Sequence, residues 1–244
     1  MPQYLKEMGY NTYHIGKWHI SKNPKDFGFD VNIGGSDAGF PKSYFPPYKN
    51  VDVEGSGAAY LTDVLTEKAV TLMTASKEPF FMYYATYAVH LPINPIPELV
   101  PKYLKRESKL GQTNAKYASM VENLDNNIGV LIKGLKDAGK FENTLIIFTS
   151  DNGGLYGITS QKPLRSGKGS YYEGGIKVPF FFVWQNKISK NTQSDFPISN
   201  MDILPTILSL ISNGNKKNIV DGADLSSLLL PVSYTHLRAH ETIP

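Results

Sequence analysis

The chain has 244 residues, of which 41% are hydrophobic, and its formal net charge is +3. This length and apolar content are enough for one sizeable core and a small appendage. The small charge, with no block of like charge, gives no electrostatic case for binding nucleic acid or an anionic membrane. The absence of cysteine excludes disulfides, thiolate metal sites and a cysteine nucleophile within the chain. Apolar stretches are strand-sized, so we expect no transmembrane segment, and the first 20 residues show no targeting segment.

Apolar periodicity predicts helices and strands that alternate along most of the chain. Helical spacing is found in four segments, which are 2–8, 61–73, 114–138 and 202–211. Runs of β-branched and aromatic residues predict four strands, which are 11–15, 80–87, 143–149 and 177–184. This order predicts an α/β fold with a mostly parallel sheet flanked by helices, and the long helix 114–138 should pack on the sheet.

Two long connections interrupt this alternation. Residues 21–59 are rich in Gly, Pro, Asp and Tyr, and a connection of that length is typically functional or disordered. Four prolines between positions 92 and 101 predict an irregular second loop. The aromatic residues of the first loop, in GFPKSYFPPYKN, suggest a cleft that stacks on sugar rings, although loop tyrosines more often pack inside a protein.

Polar side chains follow three of the predicted strands at the point where each strand ends. Lys17 and His19 lie in GKWH after the first strand, His90 follows the second, and Asp151 and Asn152 lie in TSDNGG after the third. In open α/β sheets, ligands bind beyond the carboxyl ends of the strands. We therefore predict that Lys17, His90 and Asp151 lie at one edge of the sheet.

Each of these clusters also has a purely structural explanation. GKWH can be a turn with a solvated lysine and a capped histidine, and His90 can simply order the proline-rich loop. DNGG fits an Asx-turn in which glycine takes a positive φ. In the functional alternative, Asp151 and Asn152 offer the oxygen ligands that Ca²⁺ takes, and the glycines let a substrate approach the backbone. A Ca²⁺ site requires more ligands than these two.

The segment RSGKGSYYEGG places two basic side chains among glycines. Such a loop suits close contact with a tetrahedral oxyanion such as sulfate or phosphate, although it can also be a flexible, solvated surface loop. Lys168 is the stronger candidate because it lies between two glycines in a constrained motif, whereas nothing in the sequence fixes the direction of Arg165. His14 lies inside the first predicted strand and is interpreted as structural.

Four motifs in the order GKWH, FFMYYATYAVHLPI, SDNGG and PLRSGKGSYYEGGIKVPFFF resemble the formylglycine-dependent sulfatases of the alkaline-phosphatase superfamily. The resemblance extends from residue 2 to about residue 231 and implies an alkaline phosphatase/sulfatase-like fold. It implies a sulfuric ester hydrolase that releases sulfate from a sulfated small molecule or glycan, with a carbohydrate sulfate favoured. The alternatives are a phosphodiesterase or phosphonate monoester hydrolase of the same superfamily and a non-catalytic glycan-binding pseudoenzyme.

The resemblance also implies roles for the basic residues. Lys17 and Lys168 match the lysines that offset the charge on the sulfate oxygens. His90 matches the acid that protonates the leaving alcohol or contacts the sulfate. His19 matches the group that orients and later deprotonates the formylglycine hydroxyl.

The metal and the nucleophile are implied only in part. Asp151 and Asn152 match two ligands of a Ca²⁺ site whose remaining carboxylates belong to an N-terminal segment that is absent here. The family nucleophile is a formylglycine made by a formylglycine-generating enzyme from the cysteine or serine of a C/S-x-P-S-R motif, and the chain contains no such motif. We therefore expect a fragment that is inactive alone, with an exposed apolar surface where the N-terminal strand and helix would dock.

The resemblance predicts a domain boundary near the end of the chain. Residues 1–231 match a partial catalytic domain, and the smaller C-terminal subdomain of the family is missing. Residues 232–244, which include His236 and His240, fit no preceding pattern. They are interpreted either as native sequence or as the translation of a read-through or of a library adapter. Members of the family are mostly exported, which predicts a periplasmic or secreted location.

Overall fold

The computed structural model describes residues 1–212 and 220–230. The chain forms two compact units: Met1–Phe141 with Asn152–Lys177, and Glu142–Asp151 with the described residues from Val178 onward. Within the described residues, no helix combines the length and the apolar character needed to cross a lipid bilayer. The predicted tail, 232–244, lies outside these residues, so the boundary at residue 231 stays a prediction.

The first unit contains a parallel sheet with flanking helices, which confirms the predicted fold class. Its elements are α1 (Pro2–Glu7), β1 (Asn11–Gly16), β2 (Val31–Ile33), α2 (Leu61–Ala75), β3 (Phe80–Ala85), α3 (Val100–Leu104), α4 (Ala115–Asp137) and α5 (Glu173–Ile176). The strands lie in the order β2-β1-β3. In this register His14 on β1 lies opposite Asn32 on β2 and Tyr83 on β3.

The second unit contains a two-stranded antiparallel sheet. Its elements are β4 (Ile146–Thr149), β5 (Phe180–Val183), α6 (Ile203–Ser212) and α7 (Ser226–Leu229). The sequence predicted one mostly parallel sheet, but β4 and β5 pair antiparallel, because apolar runs do not encode the direction of a strand. Phe148 and Phe181 are paired in this register and are 39% and 57% exposed, so the pair presents an apolar face.

The long connection 21–59 is more ordered than its composition suggests. It contains β2, a 3-10 turn at Pro24–Phe27, and two tyrosines, Tyr44 and Tyr48, that are buried in the core of the first unit. These rings belong to the same buried cluster as Leu61 and Leu65 of α2, so they are not part of an open cleft. Burial strongly raises the pKa of the Tyr44 phenol, which donates to the carbonyl oxygens of Tyr87 and His90.

The proline-rich loop also contains regular structure that the sequence did not predict. A 3-10 turn at Pro97–Leu99 leads directly into α3. Pro97 and Pro101 lie in the first turns of these elements, where the missing N–H of proline costs no intrahelical hydrogen bond. Proline there is compatible with helix, so the prediction of an irregular loop was wrong over this part.

The longest helix, α4, packs mainly on α2 and α3 rather than on the sheet. Two side-chain amides of α4 explain why it packs on α2. Asn123 and Asn127 donate to one carboxylate oxygen of Asp63 on α2 at 2.8 and 2.7 Å. Buried polar groups require hydrogen-bond partners, and a helix with a matching carboxylate supplies them. The prediction that this helix packs on the sheet used only its apolar positions.

Strand β1 carries a buried histidine in the middle of the first unit. The His14 side chain is fully buried and contacts the aromatic rings of Trp18, Phe29 and Tyr83 at centroid distances of 5.2, 5.4 and 5.6 Å. Burial lowers the pKa of His14, and this effect outweighs its hydrogen bonds to Asn32 and Lys17, which raise the pKa. The folded chain therefore holds this imidazole neutral at pH 7.

The lowered pKa of His14 predicts a stability that depends on pH. In the unfolded chain His14 binds a proton near pH 6.5, so the folded state loses stability as pH falls below that value, by at most about 1.4 kcal/mol per pH unit. Urea unfolding of the wild-type chain and of His14→Phe between pH 7.5 and about 5 measures this loss. The stability difference between the two should shrink as pH falls, whereas parallel curves would contradict the prediction.

Candidate functional site

Lys17 lies directly beyond β1, at the end where the neighbouring strand β3 also stops. Gly16 precedes it with φ 98°, and a Cβ at Gly16 would lie 2.1 Å from the carbonyl oxygen of Ala85 on β3. Only glycine permits this approach. The Lys17 amide donates to the same Ala85 oxygen at 2.6 Å, which fixes where the half-buried lysine leaves the sheet.

His19 is held from the first long loop. Its backbone has φ 64°, and its amide donates to the carbonyl oxygen of Ser36 at 2.8 Å. A Cβ at Gly39 would lie 2.7 Å from the imidazole ring, so this glycine makes room for the ring. The His19 side chain is exposed, with its backbone direction fixed by these contacts.

His90 lies in the turn that follows β3. The buried core supports its backbone, since its amide donates to Tyr87 O at 2.9 Å and its carbonyl accepts from the Tyr44 hydroxyl at 3.0 Å. The imidazole Nδ1 lies 3.1 Å from Leu91 O. The ring of Phe40, which is 47% exposed, stacks on the imidazole at 6.1 Å with an interplanar angle of 16°.

The structure brings Lys168 and His90 together. Lys168 Nζ lies 3.3 Å from His90 Nε2, although the two residues are 78 positions apart in the chain. Leu91 O can only accept, so Nδ1 of the neutral imidazole carries the hydrogen and Nε2 offers its lone pair to the Lys168 ammonium. Two residues that the sequence analysis named as candidates for one site are therefore in contact.

Glycines lock the loop that carries Lys168 against the loop after TSDNGG. A Cβ at Gly153 would lie 1.9 Å from Gly174 O, and one at Gly167 would lie 2.6 Å from Gly154 O. The amides of Lys168 and Gly153 donate across these contacts, to Gly154 O at 2.9 Å and to Gly175 O at 2.8 Å. The space beside the two glycines of DNGG is therefore filled by the chain itself, whereas the sequence suggested a substrate there.

The Arg165 side chain, considered above as a second basic group for an oxyanion, contacts an aromatic ring instead. Its guanidinium lies over the ring of Tyr172 at 3.8 Å from the centroid, and both side chains are exposed. This cation–π contact fixes the direction that the sequence left open. Arg165 also accepts the amide of Gly174 at its carbonyl oxygen, so its backbone helps to hold the Lys168 loop.

Asp151 and Asn152 are adjacent in the chain but belong to different units, Asp151 to the second and Asn152 to the first. Asp151 is exposed beyond β4, where Asn200 donates to the preceding carbonyl, Ser150 O, at 3.2 Å. Asn152 is half-buried. Residues 1–212 and 220–230 contain no group of three or more His, Asp or Glu side chains arranged to hold a metal ion. The described residues thus do not complete a Ca²⁺ site, and the shared edge of Lys17, His90 and Asp151 stays a prediction.

The sequence analysis included Phe40 in the aromatic loop GFPKSYFPPYKN but did not predict its contact with His90. The residue lies in a loop without periodicity, and its contact with His90 crosses 50 positions. The sequence feature that could have indicated this contact is the pair Gly39–Phe40. Gly39 has no side chain and lies close to the ring of His19, and the next residue, Phe40, stacks on the ring of His90.

Comparison with known proteins gives one consistent result. The family model described as Sulfatase matches residues 1–213. A sulfatase of Formosa agariphila is 34% identical over 213 residues, covering 79% of this chain and 38% of that protein. The N-acetylgalactosamine-6-sulfatase of Canis lupus familiaris is 29% identical over 260 residues, covering 94% of this chain and 48% of that enzyme. The chain therefore spans about half or less of the length of these relatives.

A solved structure shows the same fold. The crystal structure of Ps i-CgsB in complex with k-i-k-neocarrahexaose superposes with a TM-score of 0.78 at 31% sequence identity. The match covers 92% of this chain and 56% of that one.

The hydrogen bonds around His90 predict its tautomer. At pH 8, without added anion, ¹⁵N NMR of histidine-labelled chain should show His90 with the hydrogen on Nδ1 and an unprotonated Nε2. Lys168→Met should move the Nε2 resonance by removing the donor, and the exposed ring of His19 serves as the internal control. A hydrogen on Nε2 in the anion-free chain would contradict the arrangement.

Proposed function

Because the chain belongs to the sulfatase family, we propose that it carries the anion-binding and leaving-group part of a site that hydrolyses sulfate esters. The observation that carries the proposal is the Lys168–His90 pair, 3.3 Å apart at Nζ and Nε2. An ammonium and an imidazole at this distance can bind one sulfate group together. The ammonium would donate to a terminal oxygen, and the imidazole would donate to the bridging oxygen.

The proposed chemistry assigns a charge and a proton to each residue. Lys168 and Lys17 offset the negative charge of the sulfate oxygens, which grows as the bond between sulfur and the bridging oxygen breaks. His90 Nε2 donates a proton to that oxygen, so the leaving group departs as a neutral alcohol. The negative charge of a bound sulfate that contacts both groups would offset the repulsion between Lys168 and a protonated His90.

The nucleophile comes from outside the printed sequence in this proposal. A formylglycine, produced by a formylglycine-generating enzyme, would supply the attacking hydroxyl. The hydrated aldehyde would carry a second hydroxyl group, and His19 is proposed to accept its proton so that the bond between the formylglycine carbon and the sulfate oxygen could break. The exposed ring of His19 is accessible for that role. The contacts of His19 with Ser36 and Gly39 fix its position within the first unit.

Two side chains of this chain would hold Ca²⁺. Asp151 and Asn152 provide the hard oxygen atoms that Ca²⁺ selects, and further carboxylates would have to complete the coordination.

The proposed substrate is a carbohydrate sulfate. The structural relative with 31% identity was crystallised with a neocarrahexaose, and one sequence relative is named for N-acetylgalactosamine 6-sulfate. Phe40 adds an observation from this chain, since its half-exposed ring beside His90 offers a flat apolar face against which the ring of a sugar alcohol can pack. A glycan substrate agrees with the proposed periplasmic or secreted location.

Sulfate binding by the chain tests the role of Lys168. Removing a charge-assisted contact should weaken binding of inorganic sulfate by about 10- to 100-fold in Lys168→Met, measured by isothermal titration calorimetry. Lys116→Met, which removes an exposed lysine on α4, is the matched control and should bind like the wild type. Equal loss in both variants, or binding of phosphate esters without any binding of sulfate, would contradict the proposal.

Turnover should require the complete catalytic set. The 244-residue chain should not hydrolyse 4-nitrophenyl sulfate, because it contains no formylglycine precursor. In a longer protein that includes the nucleophile, made with a formylglycine-generating enzyme and supplied with Ca²⁺, Asp151→Ala and Lys168→Ala should each lower kcat by about 10²-fold or more. Steady-state assays with Lys116→Ala as the control check this. Full activity of the Asp151→Ala variant would contradict the metal assignment.

A further inference from the structure

The buried histidine of β1 contacts two segments that carry residues of the proposed site. His14 Nε2 lies 3.2 Å from the carbonyl oxygen of Lys17, and Nδ1 lies 3.1 Å from Asn32 Oδ1. The orientation of the Asn32 amide is set by Gly35, which donates to Oδ1 at 3.1 Å and accepts from Nδ2 at 2.8 Å. His14 therefore faces an oxygen at each ring nitrogen.

The second of these segments is the turn that holds His19. Gly35 packs directly on the imidazole, since a Cβ there would lie 2.5 Å from His14 Cε1. The next residue, Ser36, accepts the His19 amide at its carbonyl oxygen at 2.8 Å. One side of the ring thus meets Lys17 directly, and the other meets the turn on which His19 depends.

Packing holds the imidazole between these two segments. The ring is fully buried, and Trp18 and Phe29 contact it nearly edge-on at interplanar angles of 77° and 70°. The neutral ring donates to one of the two oxygens at a time. In either tautomer the ring fills the space between Lys17 O and Gly35. It therefore sets the distance between the Lys17 segment and the Asn32–Ser36 turn in addition to its hydrogen bond.

We propose that His14 is a positioning residue of the sulfate site, which sets the backbone of Lys17 and, through the Asn32–Ser36 turn, that of His19. The expected effect of His14 on sulfate binding rests on the proposed function. Its effect on the backbone positions of Lys17 and His19 does not. This positioning role replaces the interpretation of His14 as a residue that affects only stability.

Three variants separate positioning from general stability. His14→Phe keeps an aromatic ring and removes both nitrogen contacts. His14→Gln restores a side-chain amide that can donate to Lys17 O. Thr12→Val is the matched control, because Thr12 lies on the same strand, is fully buried, and bonds Gly28 O and Asp30 through its hydroxyl without contacting Lys17 or the turn.

Amide hydrogen exchange followed by NMR gives the first measurement. His14→Phe should speed exchange of the His19 amide at least about 10-fold more than it speeds exchange in the β1–β3 ladder, because loss of the ring contacts loosens the turn that bonds this amide. Thr12→Val should leave the relative protection of His19 unchanged, and His14→Gln should restore part of it. Equal changes in His14→Phe and Thr12→Val overturn the inference.

Binding of inorganic sulfate gives the second measurement. His14→Phe should raise the Kd about 10-fold, His14→Gln less, and Thr12→Val should stay near the wild type. If Lys168→Met weakens sulfate binding and His14→Phe does not, the positioning role is overturned while the proposed function stands. If the wild-type chain binds no sulfate, the proposed function is overturned together with the effect of His14 on binding.

Discussion

The arrangement of the site depends on the parallel pairing of β1 with β3. Two parallel neighbours end at the same edge of a sheet, so the loops that carry Lys17 and His90 leave side by side. Gly16 makes this pairing possible to its last residue, because a side chain there would collide with the carbonyl oxygen of Ala85. The Lys17 amide then closes the ladder on that oxygen.

The core beneath this edge holds His90 by hydrogen bonds that stay intact at physiological pH. The Tyr44 hydroxyl donates to the carbonyl oxygens of Tyr87 and His90, and the Tyr87 hydroxyl donates to Gly34 O at 2.8 Å. Burial raises the pKa of Tyr87 to about 12, so its phenol remains a donor. The end of β3, the turn after it and the first long loop are therefore tied through buried groups, which support the half-buried imidazole of His90.

Lys168 reaches His90 from a loop without long regular elements, and glycine packing replaces secondary structure as the support. Gly153, Gly167 and Gly174 each lie so close to another backbone carbonyl that a Cβ would not fit. Backbone contacts of this kind involve no rotatable side chain, so they hold the Lys168 amide firmly, and the side chain extends from this support to His90. Gly153, beside which the sequence suggested space for a substrate, instead contacts Gly174 of this loop.

The sequence alone determined the α/β class and the bounds of β1 and α4 to within a residue or so, and it singled out Lys17, His90 and Lys168 as candidates, because periodicity and motifs are local properties of the chain. Only the tertiary structure decided which distant groups meet. Sequence could not pair Lys168 with His90, stack Phe40 on that ring, or place His14 against Lys17 O, and it could not give β4 and β5 their antiparallel direction. Those features follow from close packing between segments far apart in the chain, which no local pattern records.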